Sequence, residues 1–147
     1  MHRFFDKLSP WFNVAARLLM ACIFIVSGWA KIEHYAGAQR FVQSLGAPGA
    51  MLPLIILVEL GGSLCLAVGY QTRLVAFLLA GFSLVAGSLV HLHPDDHENM
   101  IVFMDNLAMA GGLLMFVQYG GGALSLDMLS ARRRRASRKI GVPAGVA

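Results

Sequence analysis

The sequence predicts an all-α membrane protein, a four-transmembrane-helix antiparallel bundle. Three observations carry this. First, 57% of the 147 residues are hydrophobic and only 14% are charged. A soluble domain carries about 25% charged residues, so this chain cannot coat a small globule with polar groups. Second, the mean hydropathy is +0.66 and the apolar residues fall into four stretches of helix-spanning length. Third, the cations alternate between sides as four crossings require.

The first segment, 1–13, is mixed and reads as an interfacial lead-in, with Phe4, Phe5, Trp11 and Phe12 suited to head-group level. It is no cleaved signal peptide, because the apolar run behind it is too long and lacks a small-residue cleavage site. Val14–Ile32 is the first span. A hydrocarbon core of about 30 Å needs about 20 helical residues, which this run supplies. Glu33–Gly49 reads as a polar loop or interfacial helix, ended by the breaker cluster Gly46-Ala47-Pro48-Gly49. Ala50–Gly69 is the second span, with Pro53 in its first turn, where proline is tolerated. The short link Tyr70-Gln71-Thr72-Arg73 makes the third span, Leu74–Leu92, its antiparallel neighbour. A polar loop rich in His and acids precedes the fourth span, Met100–Tyr119. Gly120-Gly121-Gly122 ends it. The membrane domain thus covers 14–127, and 128–147 reads as a basic, disordered cytoplasmic tail.

With four spans, both termini share a side. That side collects ten of the twelve Lys and Arg residues: Arg3, Lys7, Arg17, Arg73 and six in the tail. Only Lys31 and Arg40 lie opposite. The positive-inside rule then places both termini in the cytoplasm. The tail serves as a topology anchor that attracts anionic head groups rather than nucleic acid.

Ionisable residues inside a span cost about 2.5–3.5 kcal/mol by insertion scales and usually face the bundle. Helical rise and the lean of side chains toward the helix N-terminus bring several to one level. The expected cluster, in the outer half, is Lys31, Glu59, His91, Asp105 and Asn106. It has two readings: a neutralised pair that fixes helix register, or a ligand or proton site. Arg17 leans the other way and stands apart from it. Gly28, Gly61, Gly62, Gly111 and Gly112 are expected to let helices approach closely. His91, His93 and His97 invite a metal, but they match no recognised ligand spacing, so no metal site is expected. Cys22 and Cys65 form no CxxC and read as buried structural thiols.

A further set of motifs runs in order over Arg17–Asp127: Arg17-Leu18-Leu19, Phe24-Ile25-Val26-Ser27-Gly28-Trp29-Ala30-Lys31, Ser44-Leu45-Gly46-Ala47-Pro48, Glu59-Leu60-Gly61-Gly62 and Gly69-Tyr70-Gln71-Thr72-Arg73. Asn99-Met100-Ile101, Asn106-Leu107-Ala108-Met109-Ala110-Gly111-Gly112 and Gly122-Ala123-Leu124-Ser125-Leu126-Asp127 complete it. Together these stretches resemble the DoxX family, in its short proteobacterial inner-membrane branch. The resemblance implies a four-helix bundle in the bacterial inner membrane. Some members of the family are linked to thiosulfate oxidation with quinone as acceptor, others to thiol and oxidative-stress systems. Asp105 departs from the pattern, which is expected to carry Lys there.

No redox cysteine pair, nucleotide loop or haem-ligand pattern is present, which argues against self-contained chemistry. The leading expectation is therefore an accessory or binding component of a redox or stress system in the membrane. A quinone-linked oxidoreductase, or its membrane subunit, is the first alternative. An oligomeric small-molecule transporter is the second. The bilayer is the certain partner. Quinone, a redox partner protein and a second copy are the others to test.

Overall fold

A computed structural model of the chain describes residues 2–92 and 95–139, with side chains over 8–92 and 95–137. Every regular element among these residues is helical. Helix α1 is His2–Glu33, α2 is Tyr35–Ser44, α3 is Gly49–Val68, α4 is Thr72–His91, α5 is His97–Tyr119 and α6 is Leu126–Lys139. Four segments are long and apolar enough to cross a membrane: Leu8–Glu33, Gly49–Val68, Thr72–His91 and His97–Tyr119. The expected spans match these to within a turn or two at each end. The largest difference is at the start, where the lead-in segment and first span form one helix through Pro10.

Helix α3 is not uniform. It opens with a 3₁₀ turn at Gly49–Met51, and Leu57–Gly61 form a π-helical turn between α-helical stretches. Such a turn inserts a residue into the helix and is frequent at functional sites. Here it contains Glu59.

Helices α4 and α5 make the most extensive helix pair, and α1 packs mainly on α3. Phe24, Leu66, Ala76, Leu79, Ala80, Ala110, Leu113 and Phe116 form the core. Alanines at three of these positions bring the backbones close, which matters because lipid is as apolar as leucine and gives helices no hydrophobic reason to associate. The large side chains Leu19, Val26, Leu57, Leu89 and Tyr119 point outward. On a membrane protein this is the lipid surface.

Two expectations are corrected here. The start of the expected disordered tail is helical as far as Lys139. Ser125 Oγ accepts the Met128 N–H at 3.2 Å, as an N-cap does, and the Leu, Met, Ala and Arg residues that follow favour helix. Residues 140–147 lie outside the described residues. Cys22, expected to be buried, is exposed on the helix surface, and Cys65 is half-buried. Both lie on apolar spans, so a thiol there behaves as a small hydrophobe in lipid.

Candidate functional site

The centre of the candidate site joins α1 to the π-helical turn of α3. Glu59 is only 3% exposed. Lys31 Nζ lies 2.9 Å from Glu59 Oε2 and donates to Oε1 at 3.0 Å. It also donates to Ser27 Oγ, one helical turn earlier, at 2.7 Å, and Ser27 Oγ in turn donates to Glu59 Oε1 at 3.1 Å. The result is a closed triangle of ammonium, hydroxyl and carboxylate. A Cβ on Gly28 would meet Leu60 Cγ at 2.7 Å and Glu59 Cβ at 3.3 Å. The absent side chain at Gly28 is what lets α1 lie against this turn. Lys31 keeps 28% of its side chain exposed against 4% for Glu59. The pair therefore has a buried base and a reachable cation.

The other expected members are elsewhere. Asn106 pairs with Ser83 across α4 and α5: Ser83 Oγ lies 3.0 Å from Asn106 Oδ1 and 3.1 Å from the Asn106 carbonyl, while Asn106 Nδ2 donates to Val102 O. A Cβ on Gly87 would strike Asn106, so this bond sits in a close helix crossing. His91 is half-buried, with Nδ1 3.1 Å from Asn99 Oδ1. Asn99 also donates to Asp96, whose carboxylate caps α5 by accepting the Glu98 and Asn99 N–H groups. Asp105 is exposed on the outside of α5. Four of the five thus enter three separate pairings, and Asp105 enters none. The reason is rotational: Asp105 and Asn106 are adjacent, so a helix turns them about 100° apart, and only one can face α4.

Among the glycines, Gly28, Gly62 and Gly112 stand at contacts, the last against Met20 of α1. Gly61 has only Leu57 of its own helix nearby, and Gly111 has nothing within 4 Å, so neither serves the packing expected of it. Among the described residues no group of three His, Cys, Asp or Glu side chains stands close enough to hold a metal. His97 is exposed, and His93 lies outside the described residues.

A second polar centre, on the side of the termini, was not expected from the sequence. Arg17 is 1% exposed, and its Nη2 donates to Leu124 O at 2.6 Å. Its Nη1 packs on Gly69, which adopts φ +71° and leaves no room there for a Cβ. Beyond it, Asp127 binds the turn between α3 and α4. Its Oδ1 accepts the Gln71 N–H at 2.7 Å. Its Oδ2 accepts Thr72 Oγ1 at 2.7 Å and the Thr72 N–H at 2.9 Å. The Asp127 N–H returns a bond to Gly69 O at 3.0 Å. Burial alone would raise the Asp127 carboxyl. The Thr72 and Gln71 donors and the charge on Arg17 outweigh burial and hold it below the usual carboxylate range. The sequence carried one signal for this centre: Asp6 and Asp127 are the two acids on a side with ten cations.

Four apolar helices around buried, partnered charges define a multi-pass α-helical membrane protein. The DoxX family model matches residues 12–92, and the chain belongs to that family. It is 44% identical over 123 residues to Inner membrane protein YqjF of Escherichia coli (strain K12), covering 84% of this chain and 95% of that protein. It is 34% identical over 134 residues to Inner membrane protein YphA of the same strain, covering 85% and 96%. A shorter match, 34% over 64 residues, is to Putative oxidoreductase CatD of Bacillus subtilis (strain 168), covering 44% of this chain and 48% of that protein. No solved structure matches.

Proposed function

We propose that this chain is a binding component of a redox or stress system in the bacterial inner membrane, with Lys31, Glu59 and Ser27 as its ligand or proton site. The names of its two long relatives support the inner membrane as its location. The distribution of cations supports cytoplasmic termini. The observation that carries the site is a carboxylate buried on a π-helical turn and tied to a partly exposed lysine. An ion pair of this kind is retained at a cost in the membrane, and such residues mark ligand or proton paths. The ammonium can donate to a carbonyl or phenolate oxygen, and the carboxylate can take up a proton as that donor is redirected.

The name of the Bacillus relative speaks of an oxidoreductase and so favours a second reading, of which a quinone-linked enzyme or its membrane subunit is the form to test. One experiment separates the two. Protein purified in mild detergent is analysed for bound quinone, then assayed for quinone reduction with thiosulfate and thiol donors. Ligand bound by wild type and lost in Glu59→Gln, without turnover, supports a binding component. Turnover that disappears in Glu59→Gln supports the enzyme. Neither binding nor turnover with quinone removes quinone from both readings, and full binding by Glu59→Gln removes the site.

A further inference from the structure

Asp105 poses a problem that the chain does not solve by itself. It is exposed on α5, inside a segment apolar enough to cross the membrane. The five residues Met100 to Met104 separate it from the polar first turn of the helix, which places it about 8 Å inside. An aspartate is too short to reach the interface from there, unlike a lysine. Among the described residues Asp105 has no ion-pair partner, and no hydrogen bond reaches its carboxylate. Ionisable groups in spans are almost always turned inward or paired. This one is neither.

The surface beside it is shaped for a helix. Ile101, Met104, Ala108, Gly111 and Met115 form a stripe at helical spacing along α5, all exposed, and Asp105 stands at its edge beside Ile101 and Ala108. Gly111 has open space where a Cβ would be. Ala108 and Gly111 make a shallow notch, flanked by the larger side chains, of the kind that lets membrane helices approach closely. Next to it, α1 and α5 leave a groove of about 600 Å³ lined by Met20, Met109 and Met115.

We propose that this face of α5 docks a transmembrane helix of another protein that carries a lysine or arginine at the depth of Asp105. A cation fits this carboxylate because an opposite charge at the same depth offsets its burial. A symmetric second copy fits worse, since a two-fold axis would bring the same acidic face against itself. This names the partner that the binding-component reading leaves open. It rests on that reading only for the existence of an assembly, and it does not use the Lys31 site.

The probe is a synthetic polyleucine transmembrane helix with one lysine about 8 Å from its outer end. Its all-leucine counterpart is the control. Full-length protein, labelled with a donor dye, is reconstituted with acceptor-labelled helix in phosphatidylcholine vesicles. The lysine helix should associate at least tenfold more strongly than the all-leucine helix. Asp105→Asn should abolish that preference, and Gly111→Ile should weaken it by blocking the notch. The double change of Glu59→Gln with Lys31→Met, which removes the ligand site without stranding a charge, should leave it intact, which separates failure here from failure of that site. Equal association of both helices would overturn the proposal. So would a preference that survives Asp105→Asn, or donor-labelled copies that pair with one another through Asp105 in place of the lysine helix.

Discussion

Asp127 caps helix α4 from a segment beyond the fourth span: its carboxylate accepts both the N–H and the hydroxyl of Thr72, at 2.9 and 2.7 Å. The first N–H groups of a helix have no partner within it, and a side chain just before the helix usually supplies one. Here Gln71 stands at that place with φ +46°, and its own N–H is also given to Asp127. The left-handed turn at Gly69 and Gln71 is thus held by a residue beyond the fourth span. The cap doubles as a latch that ties the start of α6 to the middle of the chain.

Asp127→Ala should destabilise the protein by about 1–3 kcal/mol, the cost of a lost cap plus polar groups left without an acceptor. Asp127→Asn keeps one acceptor oxygen and should lose less. Thermal unfolding in detergent, followed by circular dichroism, measures both. An Asp127→Ala variant as stable as wild type would show that the latch carries no load.

The same carboxylate sets a pH dependence. Its folded-state pKa is depressed below an unfolded value of about 3.9. It therefore binds its proton less readily when folded, and its stabilisation is complete above the unfolded pKa. That stabilisation is lost as pH falls through the folded pKa. The gap in midpoint temperature between wild type and Asp127→Asn should be full at pH 7 and shrink below about pH 4. A gap that stays constant down to pH 2.5 would assign the effect of the substitution to shape rather than charge.

Much of this architecture is written in composition and spacing. Twenty-residue apolar runs have one stable form in lipid, so the four spans were legible before any contact was known. Lys31 and Glu59 were legible as a pair because two opposite charges at similar depth have few other partners. The rest failed for identifiable reasons. Asp105 and Asn106 are neighbours in sequence, and depth alone cannot say which of them faces α4. Gly61 and Gly62 pose the same difficulty, made worse by the π-helical turn, which shifts the rotation of every residue after it. Arg17 was set aside for leaning toward its own terminus. That lean is what carries its guanidinium to Leu124 O, on a segment read only as the end of the bundle.

The Lys31 and Glu59 pair can be tested for coupling. Glu59→Gln alone leaves an ammonium facing a neutral amide and should cost about 3–5 kcal/mol. Adding Lys31→Met removes the stranded charge and should recover much of the loss. Unfolding of wild type, both single variants and the double variant in one detergent gives the coupling energy directly. Ser27→Ala belongs in the same series, because its hydroxyl bridges the two charges. A double variant no more stable than Glu59→Gln would mean that Lys31 finds another partner and that the pair is incidental.

Helix contact at Gly28 makes a separate prediction, independent of charge. A methyl there would sit 2.7 Å from Leu60 Cγ and 3.3 Å from Glu59 Cβ, so α1 must move away from the π-helical turn or Leu60 must leave its rotamer. Overpacking of this kind costs about 1–3 kcal/mol. Gly28→Ala should therefore destabilise the bundle, although alanine is the better helix former by up to about 1 kcal/mol. Gly81→Ala is the matched control. It lies on α4 with nothing within 4 Å of the added carbon, so the propensity gain should appear alone and raise the melting point slightly. If both substitutions stabilise, α1 and α3 are more loosely packed than this structure has them. The opposite signs expected here follow from one difference: Gly28 touches the turn that buries Glu59, and Gly81 touches nothing but its own helix.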